Sequence, residues 1–185
     1  MTLHATNDPP RIKQLDDRTI GFIAAGEVVE RPAQVVKELL ENSIDAGSKS
    51  ITVEILRGGF DFISVIDDGN GIIKEDLPLA LVRHATSKLQ NEADLGAINT
   101  LGFRGEALAS IGMVSELTVA SRARKSGEDN GWTISMKDGE ISDISKCGMP
   151  EGCKIEVKSI FKNQPARLSF QRRPSTESVK TLEVV

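Results

Sequence analysis

The stretch Val35-Val36-Lys37-Glu38-Leu39-Leu40-Glu41-Asn42-Ser43-Ile44-Asp45-Ala46-Gly47 decides how the rest of the chain is read. Val35, Val36, Leu39, Leu40 and Ile44 recur at helical spacing, so the segment is predicted to be an amphipathic helix with these side chains as its buried stripe. Pro32 precedes the stripe, where a helix tolerates a missing N–H, and Gly47 follows it, where a left-handed cap is wanted. The opposite face carries Glu38, Asn42 and Asp45 at i, i+4 and i+7, a single row of side chains on a helix. A carboxylate one turn from a carboxamide can hold a metal ion and orient a water beside it. A solvated polar face has the same pattern, and the helix alone does not choose between them.

The chain around this helix has 185 residues, enough for one domain with its own core, and its 39% hydrophobic and 27% charged residues are ordinary for a globular protein. No apolar run approaches the ~20 residues that span a bilayer, and Met1 to Arg11 lacks the apolar stretch of a signal peptide. An intracellular protein is expected, in cytoplasm, nucleoid or nucleus according to the organism. Cys147 and Cys153 lack the paired-doublet spacing of a zinc site and are expected to be free thiols. The net charge of −4 is unevenly spread: residues 1–153 carry 16 Lys/Arg against 24 Asp/Glu, hence −8, and residues 154–185 carry 7 against 3, hence +4. That basic tail, Lys154, Lys158, Lys162, Arg167, Arg172, Arg173 and Lys180, suits a phosphate backbone or a scattered solvated surface equally.

Along the chain, residues 1–11 read as disordered, and Ile12, Leu15, Ile20, Phe22 and Ile23 as a short apolar segment ending at Gly26. Beyond the central helix, Ile51–Ile55 alternates as a half-buried strand does, Gly58-Gly59 turns the chain, and Phe62–Ile66 is a second strand, so the two are predicted to form an antiparallel hairpin. Pro78 with Leu77, Leu79, Leu81 and Val82 predicts a second helix reaching about His84. Residues 85–103 read as a long loop of the kind that serves as a functional lid. A third helix opens at Gly105, strands follow at Leu117–Ala120, Trp132–Met136 and Cys153–Val157, and a last helix starts near Thr176. Helices segregated on one face of a mixed, mostly antiparallel sheet make an α+β two-layer sandwich, here assigned to residues 12–185.

Several common nucleotide and metal motifs are missing. No Gly-Lys pair exists, so there is no P-loop, and no G-x-G-x-x-G follows a strand. Asp67-Asp68-Gly69-Asn70-Gly71 does not place oxygens at the alternating positions of a calcium loop. It does place Asp67 at the end of an apolar strand, where a carboxylate needs a donor; the exocyclic amine of a base supplies one, and Gly69 and Gly71 allow a flat ring near the backbone. A turn-capping Asp gives the same sequence. Gly102-Phe103-Arg104-Gly105-Glu106-Ala107-Leu108 puts glycines at a helix start, either a hinge or a set of free amides for phosphate. His84-Ala85-Thr86-Ser87-Lys88, just upstream, adds hydroxyls and an ammonium.

In this order, these segments resemble the GHKL (Bergerat-fold) ATPases, the class that contains gyrase B subunits, heat-shock chaperones and sensor histidine kinases. Within that class the chain is most similar to the MutL family of DNA mismatch-repair proteins. Ala24–Pro32, Lys37–Gly47, Asp67–Gly71, His84–Lys88, Leu101–Ala109 and the run Phe161, Asn163, Pro165, Ala166, Arg167 and Phe170 carry the resemblance, which covers about residues 12–185. The resemblance implies a magnesium-dependent ATPase. Glu38 would be the general base, Asn42 the ligand of Mg2+, and Asp67 the acceptor of the adenine amine with Gly71 beside the ring. Thr86, Ser87, Lys88, Gly102, Arg104, Gly105, Glu106, Ala107 and Leu108 would surround the triphosphate of ATP, and Asp45 would be structural. The family's last sheet motif usually reads Gly-Thr; here it is Gly152-Cys153, and a thiol is the weaker hydrogen-bond partner near the base.

Implied partners are DNA, a MutS-like mismatch sensor and a second copy of the protein, paired through ATP-dependent ordering of the lid. The family also has a second domain with a lysine at the terminal phosphate and a C-terminal dimerisation domain. The chain is accordingly expected to be an N-terminal fragment, weakly active or inactive alone. Alternative readings are a nucleotide-gated module that hydrolyses little, a topoisomerase or kinase relative, and a non-nucleotide adaptor. Single-turnover hydrolysis tests the first, the Gly102–Leu108 segment argues against the second, and binding of an ATP analogue tests the third.

Overall fold

The computed structural model describes residues 11–88, 101–102 and 105–185. The expectations for residues 1–10, for the middle of the loop and for Phe103 and Arg104 lie outside the described residues. The helices are α1 (Asp17–Val28), α2 (Pro32–Asp45), α3 (Leu77–Ala80), α4 (Ala107–Met113), α5 (Pro165–Ser169) and α6 (Pro174–Leu182). The strands are β1 (Ile51–Leu56), β2 (Phe62–Asp67), β3 (Glu116–Arg122), β4 (Gly131–Lys137), β5 (Glu140–Ile141), β6 (Ser145–Cys147) and β7 (Gly152–Lys158). They form one sheet in the order β1-β2-β7-β3-β4-β5, with β6 also on β4, and its pairings are antiparallel.

The sheet is organised in rows that cross its strands. Val53, Val65, Ile155, Val119 and Ile134 are register partners in one row, and Ile55, Ile63, Val157, Leu117 and Met136 in the next. Both rows face the helices and pack into the hydrophobic core. The row beyond Val53, made of Thr52, Ile66, Lys154, Ala120 and Thr133, points away from them, as the period of two requires. One row further along the core face, the partners are Ile51, Asp67, Cys153, Ser121 and Trp132. The hydrophobic face thus turns polar at one end of the sheet, and Asp67, Cys153 and Ser121 are buried there.

Helix α2 covers the core rows with Val35, Val36 and Leu39, all fully buried. Each such burial stabilises by ~1.5–3 kcal/mol. Pro32 stands at the helix start, and Gly47 follows the end in a left-handed conformation, both as expected. Ile44 corrects the predicted stripe, because it is 55% exposed. Its neighbour Ser43 takes the inward position and bonds to Asp67, which turns Ile44 about 100° away around the helix.

Three further differences from the sequence reading have local causes. The apolar segment after residue 12 is a full helix, α1, whose first turn is capped by Asp16 accepting the Thr19 N–H at 2.8 Å. Helix α3 stops at Ala80 instead of reaching His84. His84 adopts φ 64° and its N–H donates to the Gly105 carbonyl at 3.0 Å, which a continuing helix forbids. Pro165 starts the short helix α5, from which Arg167 donates to the Gly26 carbonyl at 2.6 Å and lies over the buried Phe161 ring, tying the end of the chain to α1.

Helix α6 packs on α2 and on the turn Arg57–Gly59. Its Glu177 is fully buried and receives a two-pronged bond from Arg31, with Nε 3.1 Å from Oε2 and Nη2 2.7 Å from Oε1. Arg31 is the residue that precedes α2, so this fork fixes the angle at which that helix leaves its turn.

Candidate functional site

The polar end of the core face meets the C-terminal half of α2, and the link is a side-chain bond. Ser43 Oγ donates to Asp67 Oδ2 at 2.9 Å. Ser48 Oγ and the Gly69 N–H donate to Oδ1 at 3.2 and 2.8 Å. A carboxylate offers about four acceptor positions, so Oδ2 keeps capacity for one further donor. Ser43 and Ser48 were not among the sequence-predicted site residues. The available signal was Ser43's place on the buried side of the helix, one residue from Asn42.

Asp67 and Asp68 have separate tasks. Asp68 is half-buried and accepts the Ser50 and Lys49 amides at 2.9 and 2.7 Å, contacts that hold its carboxyl below the usual carboxylate range. Only Asp67 points into the core end. Two glycines close in around it. Gly71 has φ 67°, and a Cβ there would come within 2.5 Å of the Arg122 carbonyl oxygen. Gly152 has φ 123°, and its Cβ would collide with the Asp67 carbonyl oxygen. Neither backbone conformation suits a side chain. Beside them, the Ile72 N–H donates to Ser121 Oγ at 2.7 Å, and that hydroxyl donates to the Gly152 carbonyl at 3.0 Å. Cys153 is the register partner of both Asp67 and Ser121. Burial, followed by the nearby Asp67 carboxylate, pushes its thiol up to about 12, so the sulfur stays protonated.

The second half of the site is the polar row of α2. Asn42 Oδ1 accepts a bond from Lys88 Nζ at 3.0 Å, and Asp45 Oδ2 accepts one from the same ammonium at 2.5 Å. The amides of Leu101 and Gly102 donate to the two Asp45 oxygens at 3.0 and 3.2 Å. Burial would raise the Asp45 carboxyl, but Lys88 and the two amides outweigh it and hold the group below its ordinary range. Asp45 therefore joins the Lys88 and Leu101–Gly102 segments to α2. Glu38 lies one turn before Asn42 and is half-buried.

Of the remaining predicted residues, Thr86 accepts the Lys88 N–H at 3.1 Å and Ser87 is exposed. Ala107 and Leu108 open α4, with Glu106 at its cap and Gly105 in the turn before it, and Arg104 lies outside the described residues. A helix start leaves its first amides without intrahelical partners, and no side-chain cap bond covers them at Glu106. The Glu106 carboxylate is turned aside, with His84 Nδ1 at 3.1 Å and Arg83 at 3.9 Å.

The donors around Asn42 are oxygens, which suits a hard cation such as Mg2+. Among the described residues no three His, Cys, Asp or Glu side chains converge on a metal position. The basic tail is largely engaged elsewhere: Lys154 and Lys158 both reach Glu156, Arg167 holds Gly26, and Lys180 pairs with Glu183. Among the described residues no helix is long and apolar enough to cross a membrane.

The chain belongs to the histidine kinase-, DNA gyrase B- and HSP90-like ATPase family, whose pattern matches residues 30–159. Within that family its likeness is to MutL. It is 53% identical over 175 residues to the DNA mismatch repair protein MutL of Thermoanaerobacter sp. (strain X514), covering 95% of this chain and 28% of that protein. It is 49% identical over 177 residues to MutL of Methanothrix thermoacetophila, covering 95% of this chain and 31% of the relative. The chain thus spans about a third or less of these relatives. Among solved structures, the Aquifex aeolicus MutL ATPase domain complexed with ADP superposes with a TM-score of 0.68 at 34% identity, over 85% of this chain and 54% of the other. The N-terminal domain of a DNA repair protein superposes with a TM-score of 0.73 at 28% identity, over 89% and 46%. The fold is that of a MutL N-terminal ATPase domain.

Proposed function

We propose that this chain binds ATP with magnesium at the end of the sheet and hydrolyses it, as the nucleotide-dependent part of a mismatch-repair protein. The observation that carries the reading is the Ser43–Asp67 bond, which sets the Asn42 row of α2 directly beside the buried acceptor. In this reading the free capacity of Asp67 Oδ2 takes the adenine amine, with Gly71 and the protonated Cys153 bordering the ring. Asn42 holds Mg2+. Glu38 takes a proton from the attacking water. Lys88, Thr86, Ser87, Gly102, Arg104 and the amides of Gly105 to Leu108 face the phosphates. Little covalent chemistry is required of the protein in phosphoryl transfer, so positioning and charge stabilisation carry the rate. The bound metal would supply neutralisation of charge developing on the phosphates.

For the whole protein we propose a second copy, DNA and a MutS-like mismatch sensor as partners, with nucleotide state coupling recognition to repair inside the cell. The ADP held by the Aquifex aeolicus neighbour supports the nucleotide part of this reading. Calorimetry with Mg-ADP and with a non-hydrolysable ATP analogue tests it. Binding at a 1:1 ratio, with GDP much weaker, is the expected outcome; no binding of either adenine nucleotide refutes it.

A further inference from the structure

The oxygen assigned to the metal already holds a cation. Lys88 Nζ lies 3.0 Å from Asn42 Oδ1 and 2.5 Å from Asp45 Oδ2, and its side chain is only 21% exposed. The Asp45 side chain is 7% exposed, so this ion pair is largely withdrawn from water. Asn42 and Asp45 are three residues apart on α2 and present their oxygens on one face. Backbone completes the arrangement: the Leu101 and Gly102 amides engage both Asp45 oxygens, and the Lys88 N–H is itself fixed on Thr86.

A magnesium ion sits ~2.0–2.1 Å from its ligand oxygens and keeps several waters. An ammonium at hydrogen-bond distance from the same Asn42 oxygen occupies that volume, and two cations so close repel strongly in a partly buried setting. We propose that Lys88 and a divalent cation are alternative occupants of the Asn42 oxygen, with Asp45 the positioning residue that holds Lys88 there and so sets the balance between them. This deepens the reading of Asn42 as metal ligand and rests on it. Ligand-free, Asp45 keeps Lys88 on Asn42. When metal and nucleotide arrive, the ammonium leaves Asn42 and turns to the phosphates, whose charge compensates the lost pair. Nucleotide affinity is thereby reduced by the fraction of molecules in which Lys88 still holds Asn42.

The test uses the chain itself with Mn2+ as probe and no nucleotide. Paramagnetic broadening is followed at the Asn42 side-chain amide and the Asp45 backbone amide. Lys88→Gln removes the competing charge, so broadening should set in at about 10-fold lower Mn2+ than in the wild type. Equal Mn2+ dependence in both proteins, or broadening centred away from Asn42, overturns the proposal. Asp45→Asn gives an independent arm by calorimetry and thermal melting. It should lower the melting temperature of the ligand-free protein yet tighten Mg-ADP binding several-fold, because Lys88 is less firmly held. A residue acting only on the fold would lower both, and that result also overturns the proposal. Wild-type binding of Mg-ADP is measured alongside. Its absence defeats the nucleotide site as a whole, whereas normal binding with a Mn2+-indifferent Lys88→Gln defeats only the competition.

Discussion

Replacing Asp67 by Asn separates the work of its two oxygens. Oδ1 accepts the Gly69 amide and Ser48, while Oδ2 accepts Ser43. Asn keeps one oxygen, which the Gly69 amide, a donor that cannot reverse, draws to the Oδ1 position. The new NH2 then faces Ser43 and the assigned place of the adenine amine. Ser43 can rotate its hydroxyl and accept, so the internal network loses only charge assistance, about 1 kcal/mol. The amine of the base has no such freedom, and donor then faces donor. A hydrogen bond to a charged group contributes ~1.5–3 kcal/mol, which translates to a roughly 10- to 150-fold weaker Kd for Mg-ADP. Calorimetry measures that loss, and a thermal melt of the ligand-free variant measures the internal cost. An unchanged Kd would falsify the adenine contact. So would a collapse in stability with the affinity of the remaining folded protein intact, since Asp67 would then serve the fold alone.

Glu38→Gln should bind Mg-ADP like the wild type while hydrolysis by the full-length protein falls ~10²–10⁴-fold; equal single-turnover rates would remove Glu38 from its assigned role. Glu177→Ala should cost about 3 kcal/mol in denaturant unfolding, the low end for a broken buried pair because Arg31 keeps 29% of its side chain in solvent. A loss below about 0.5 kcal/mol, the range of ordinary surface changes, would contradict the role given to the fork. Native protein at neutral pH should react with a thiol reagent at Cys147 and leave Cys153 untouched, which peptide mapping can read. The raised Cys153 value also carries a pH dependence: the neutral thiol is favoured by folding, so its contribution is complete below pH 9.0 and is lost as pH rises towards about 12. Cys153→Ala should flatten that alkaline loss in urea unfolding; an identical slope would show that other groups cause it.

What could be seen in the sequence follows from how local each feature is. Helix α2 and the β1–β2 hairpin are encoded by short-range periodicity and glycine placement and form where expected, while α4 begins at Ala107, two residues after the predicted start at Gly105. Ile44 misled because periodicity counts apolar side chains, whereas its inward neighbour Ser43 is fixed by a partner on another strand. Helix α1 carries apolar residues on more than one side, with Ile20 and Ile23 exposed and Ala25 buried, so no clean stripe announces it. Strands β5 and β6 have two and three residues, too few to show alternation. The Asp67–Ser43–Ser48 cluster and the Lys88–Asp45 pair join residues 19 to 43 positions apart, and no local pattern specifies such partners. The resemblance names candidate site residues on a different ground, since motif order stands in for distances that the sequence does not contain.

The position of β7 has a consequence for how the domain is made. It runs between β2 and β3, so the two hairpins β1–β2 and β3–β4 meet only through a strand that follows both in the chain. During synthesis the nascent chain must carry β2 and β3 with open edges until residue 158 has left the ribosome. Open apolar edges invite pairing with other chains, and long-range strand insertion is slow. Cys153 arrives opposite Asp67 in that same late step, so the binding end of the sheet is assembled last. A ribosome-stalled chain ending before Gly152 should therefore lack the Asp67–Cys153 end altogether and depend on chaperones, while one long enough to expose Lys158 should acquire both the closed sheet and the proposed nucleotide site together.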